Sequence, residues 1–140
     1  MNCFQLIFAS DAAVDMSDQI LLDILVHADK NNRSKGISGL LLYSRNRFMQ
    51  LIEAKNKDVV EALFAKILKD KRHTNVKLLL RQESNELQMA AWAMGFSMKE
   101  KEDFSLREHS FYVHMDEVEQ ICASMPGNVG YIFHQFLHQP

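Results

Sequence analysis

In the stretch RFMQLIEA, residues 47 to 54, a single side-chain amide stands in an apolar run. Alternation puts Phe48, Gln50 and Ile52 on one face of an extended segment and Met49 and Leu51 on the other. Gln50 carries two N–H donors and a carbonyl oxygen, so a buried Gln50 needs partners at both ends of its amide. Backbone, water or a ligand can supply them. The remaining candidates for chemistry are sparse. Cys3 and Cys122, the only cysteines, have no metal or disulfide spacing and read as reduced, packed thiols. The six histidines form no HExxH or HxH pattern, and His134 and His138, one helical turn apart, read as a polar helix face with no metal site. There is no nucleophile–base pair and no set of paired carboxylates. GISG (36–39) opens a strand and is a poor phosphate cradle. An enzyme is not expected.

The chain that positions Gln50 has 140 residues, enough for one domain with a real core and too few for two comfortable ones. Its hydrophobic content of 47% and charged content of 24% are ordinary for a soluble protein. A formal charge of -2, with scattered lysines and arginines, leaves no footprint for nucleic acid. No apolar run reaches membrane-spanning length, and the N-terminus lacks a basic region followed by a long apolar one. The expected location is the cytoplasm, with no membrane partner.

Periodicity supplies the elements. Residues 3–10 read as a strand. After Ser17, a plausible N-cap, apolar residues at 20, 21, 24, 25 and 28 mark an amphipathic helix that ends at Asn31 and Asn32. Residues 36–44 and 47–54 read as two strands joined by a tight turn at Arg45-Asn46. A second helix follows over 56–73, with Val59, Val60, Leu63, Phe64, Ile67 and Leu68 on its apolar side and a basic last turn that suits the helix dipole. Residues 75–83 and 92–98 supply two more strands. The order βαββαββ gives an α+β, ferredoxin-like fold, a five-stranded mixed sheet with two helices on one face. Two further helices, 115–125 and 127–138, flank Pro126-Gly127. Residues 1–98 are expected to form the domain and 99–140 a C-terminal helical extension packed on it.

Several stretches in this order, LIFAS, NNRSKGISGLLLYSRNRFMQLIE, KILKDKRHTNV and WAM, together resemble the BLUF family of blue-light sensors using FAD, over roughly the first 100 residues. The resemblance implies a flavin held between the two helices, its ring edge facing Gln50, whose amide would bond the N5 and O4 region. It implies that Asn32 bonds a ring carbonyl and ring N–H, with Asn31 in a supporting contact. Asn32, one turn beyond Ala28, continues the helix's inward stripe. Lys66 matches a basic position that reaches the flavin side chain or its phosphates, and Ile24, Ile37, Phe48 and Ile67 are placed to wall the ring. Trp92 and Met94 match a W-x-M pair on the fifth strand near the glutamine. Their shared parity puts both on one face.

Two residues depart from the family pattern. Where the family carries a tyrosine in LIFAS, this chain has Phe8. A phenyl ring has no O–H to donate, no titratable proton, and is far harder to oxidise than a phenol. Packing survives the exchange and the usual photochemistry does not. Trp92 is a candidate alternative electron donor. Ala54 stands where glycine is usual, and glycine there permits backbone that alanine disfavours. The expected function is therefore a BLUF-type, FAD-binding sensory protein with its photocycle lost or altered, acting on a separate protein partner and forming an oligomer of its own. A flavin-free interaction module with the same fold is the alternative.

Overall fold

The computed structural model describes residues 2–13, 16–90, 94–98, 112–125 and 127–138. Strand β1 (Cys3–Ala12) leads to helix α1 (Asp18–Lys35), then to β2 (Ser38–Ser44), β3 (Arg47–Ala54), α2 (Lys57–Lys69), β4 (His73–Ser84), β5 (Gly95–Met98), α3 (Met115–Ser124) and α4 (Gly127–Leu137). The sheet order is β4-β1-β3-β2-β5. All pairs are antiparallel except β2 with β5, so the sheet is mixed, as expected.

Helix α1 begins where Ser17 accepts a hydrogen bond from the Ile20 backbone N–H. It does not end at Asn31 and Asn32. It continues to Lys35 and is closed by Gly36 in the left-handed region (φ 69°), whose N–H points back to the carbonyls of Asn32 and Arg33. Gly36, expected in a strand, is thus a helix cap. The extra turn carries both asparagines on the helix rather than beyond it. Leu21 and Leu25 are buried with Asn32, and Ala28 is half-buried between them, which completes the inward stripe. Gly39 is fixed by close approach: a Cβ there would collide with the Leu51 carbonyl oxygen across the hairpin. The hairpin turn uses Arg45 and Asn46 at φ 51° and 61°, the positive pair that matches the twist of adjoining strands.

Helix α2 stops at Lys69, earlier than expected, and His73 begins β4 instead of ending the helix. Val60 and Phe64 are buried, whereas Leu68, expected on the apolar side, is exposed. Strand β5 is shorter than expected: Met94 immediately precedes it, and Trp92 lies outside the described residues.

Both sheet faces are covered. On one, α1 and α2 pack over Phe48 and Ile52, with Phe4, Leu6, Phe8, Leu21, Leu25 and Phe64 in the same layer. On the other, α3 and α4 bring Val118, Cys122, Val129, Phe133 and Phe136 against Ile7, Leu40, Leu42, Met49 and Leu51. Burial pushes the Cys122 thiol up to about 12, so it is a packed, protonated group, as expected of it. Cys3 is buried too, and burial likewise raises its thiol, against a hydrogen bond to the Ser84 carbonyl.

Candidate functional site

A cavity of about 240 Å³ opens between α1 and α2 above the sheet. Helix α1 lines it with Ile24, His27, Ala28, Asn31 and Asn32; α2 contributes Leu63, Lys66 and Ile67. Its floor is Leu41, Phe48, Gln50 and Met94, and Asp70, Arg72 and His73 close the end where α2 passes into β4. The lining is largely apolar, with amide groups from α1 and β3 and cationic groups from Lys66 and Arg72, a composition suited to a small, partly polar ligand.

Gln50 is almost fully buried on the cavity face of β3. Its Nε2 lies 3.7 Å from the Met94 thioether sulfur, and this is its one side-chain hydrogen bond among the described residues. A thioether is a weak acceptor, so the amide retains most of its capacity to donate and accept. Asn32 reaches the same cavity from α1 and is also buried. Asn31 is half-buried, and Lys66 is exposed at the rim.

Of the residues anticipated from sequence, Ile24, Asn31, Asn32, Phe48, Gln50, Lys66, Ile67 and Met94 meet at this cavity. Ile37 does not. It follows the Gly36 cap and turns into the apolar cluster of Phe4, Leu6, Ile52 and Phe64, so it supports the core instead of walling the cavity. Phe8 is fully buried in that same cluster. Its ring lies 5.5 Å from Phe64 and 6.2 Å, edge-on, from His73, and its cross-strand partner is Gln50. Ala54 is accommodated without strain: it pairs with Phe4 in regular strand, and the positive φ angles among the described non-glycine residues fall at Arg45, Asn46 and Asn75.

His27, Asp70, Arg72 and His73 were not anticipated as site residues. Asp70 accepts from the Arg72 backbone N–H at 3.0 Å and from its guanidinium, with Nη2 to Oδ2 at 2.6 Å. The pair holds the Asp70 carboxyl below its usual range and Arg72 above its own. His73 is sandwiched near Phe8 and Phe48, with Nδ1 2.8 Å from the Ser10 hydroxyl. Burial pushes its imidazole below the usual value of 6.5, partly offset by Asp70. Lys35, at the end of α1, is lowered by Lys66 beside it. A sequence signal for the Asp70–Arg72 turn exists in D-x-R, since an aspartate side chain readily bonds the backbone N–H two residues on.

An α+β fold with a mixed five-stranded sheet and an amide-bearing cavity between its first two helices defines a small-ligand-binding domain. The family of sensors of blue-light using FAD, BLUF, matches residues 3–95, and the chain belongs to it. Among solved structures it is similar to BlsA in its photo-activated state, at 26% identity and a TM-score of 0.68, with 99% of this chain and 96% of that one covered. It is also similar to BlrP1 of Klebsiella pneumoniae with FMN and cyclic diGMP, at 25% identity and a TM-score of 0.75, where 96% of this chain covers 34% of that longer protein. A bacterial light-regulated adenylyl cyclase aligns at 27% identity and a TM-score of 0.66, covering 95% of this chain and 39% of the cyclase. No curated protein matches the sequence. No described helix is long and apolar enough to cross a membrane.

Proposed function

We propose that this chain binds FAD in the cavity between α1 and α2 and serves as a blue-light sensory protein acting through a protein partner, with its light response lost or altered at Phe8. The observation that carries this reading is the buried Gln50 amide, facing the cavity that Asn32 of α1 also lines and holding, among the described residues, only a thioether. The residues suit the group: Asn32 and Gln50 offer donors and acceptors to the polar edge of a flavin ring, Ile24, Phe48 and Ile67 its apolar faces, and Lys66 its phosphates. Bound FAD would supply absorption of blue light and an electron-accepting ring.

Phe8 keeps the apolar packing and contributes no proton or hydrogen bond to Gln50. Asn31, on the cavity lining beside Asn32, adds a lesser contact to the flavin, and Met94 borders Gln50. Signal would leave by protein contact, through the C-terminal helices or a face shared between copies of the chain. Absorption spectra in the dark and under blue light, before and after reconstitution with FAD, test the proposal. A structured flavin band with no light-induced red shift is the expected result. Absence of a band after FAD is added overturns it and leaves a flavin-free interaction module.

A further inference from the structure

Glu53 is a carboxylate with no exposure to solvent, and none of its described hydrogen-bond partners is a cation. It rises from the central strand β3 on the face opposite the cavity, between its strand neighbours Gln5 and Ser38. Four donors meet it. Oε1 accepts from Gln5 Nε2 at 3.0 Å and from the Gln88 backbone N–H at 2.8 Å. Oε2 accepts from the Ser38 hydroxyl at 2.9 Å and from the Met89 backbone N–H at 2.7 Å. Every lone-pair position of the carboxylate is thereby used. The network extends to the outer strand, where Gln82 donates to Gln5 at 3.0 Å.

The topology explains why such an anchor is needed. Strands β4 and β5 lie at opposite edges of the sheet, so the chain between them must cross it. Residues 88 and 89 lie over the face that α3 and α4 cover, where Met89 is buried with Val113, Val118 and Cys122. Two backbone N–H groups brought into that apolar layer need acceptors, and Glu53 supplies both. The same connection then delivers Met94 to Gln50 on the other face, and a Cβ at Gly95 would stand 3.4 Å from the Met89 methyl carbon.

We infer that Glu53 is a positioning residue: its carboxylate fixes the crossover at Gln88 and Met89 and thereby sets Met94 against the Gln50 amide. The anchor stands on these contacts alone; its consequence for ligand recognition rests on the flavin reading above. A glutamine at 53 cannot replace it, because its NH2 must face one of the two backbone N–H groups whichever way the amide is turned. Ser38→Ala is the contrasting change, since it removes one hydroxyl bond and keeps both backbone bonds.

The test uses the flavin-free full chain. Glu53→Gln should speed amide exchange at Gln88 and Met89 about tenfold or more, whereas Ser38→Ala should not. The methyl resonance of Met94, assigned through its loss in Met94→Leu, should move in Glu53→Gln and hold its place in Ser38→Ala. A folded Glu53→Gln protein with unchanged exchange and an unmoved Met94 methyl overturns the inference. Should Glu53→Gln fail to fold, the parent protein decides: its Gln88 and Met89 amides must be protected, and exchange as fast as in an unstructured peptide refutes the anchor. Adding FAD separates the two proposals. A parent chain that takes up no flavin sinks the cavity reading and leaves the anchor's result standing.

Discussion

Phe8→Tyr tests the relation between β1 and the cavity most directly. Phe8 is fully buried, and in the β1–β3 register Gln50 is its cross-strand partner on the same face. Directly opposed residues place their Cβ atoms about 4.5–5.5 Å apart. A hydroxyl added to the buried ring needs a partner, and left unpaired it costs about 1–3 kcal/mol. The Gln50 amide, which otherwise holds only the Met94 sulfur among the described residues, can supply a bond of net worth about 1 kcal/mol. Phe8→Tyr should therefore change stability by no more than about 1 kcal/mol in the parent and cost about 2 kcal/mol more in a Gln50→Leu background. Urea unfolding of the four proteins gives the coupling energy. A coupling below about 0.5 kcal/mol would refute the reasoning, because it would mean that the hydroxyl and the amide do not meet. The same substitution, in FAD-loaded protein, should bring back a small red shift of the flavin band under blue light; an unshifted spectrum would place the defect beyond the missing hydroxyl.

Asn32→Ala should weaken FAD binding about tenfold, read by fluorescence titration, and unchanged affinity would remove Asn32 from the site. Because burial holds His73 below 6.5, the unfolded chain binds the extra proton first, so stability should fall as pH drops below about 6.5, with a slope of at most about 1.4 kcal/mol per pH unit. Denaturation between pH 7 and 5 checks this, and His73→Phe should flatten the dependence. Asp70 acts in a separate, lower window: its depressed carboxyl contributes stability above the ordinary value of 3.8 that is lost as pH falls further. Lys66→Met should return Lys35 toward the ordinary lysine range, followed by NMR titration; an unmoved Lys35 would show that the two ammonium groups are not neighbours.

Local patterns carried most of the architecture because they depend on near neighbours. Alternation in RFMQLIEA placed Gln50 with Phe48 on one face, and the spacing from Leu21 through Leu25 and Ala28 pointed on to Asn32. The hairpin was legible in Arg45-Asn46 between two apolar runs. Helix ends were less so: Asn31 and Asn32 looked like a terminus because asparagine is comfortable there, while the Gly36 cap lay in what resembled the next strand.

By itself, then, the sequence determined the order of elements, the face of Gln50 and the inward stripe of α1, all set by the fixed periods of strand and helix. Only the tertiary structure decided which distant residues meet. Placing β1 between β3 and β4 brought His73 beside Phe8 and Phe48, and closed the cavity with Asp70 and Arg72. The crossing from β4 to β5 brought two backbone N–H groups to Glu53, 35 and 36 positions back along the chain. No local period encodes such contacts, because they follow from the strand order and from the demand that each buried polar group find its partner.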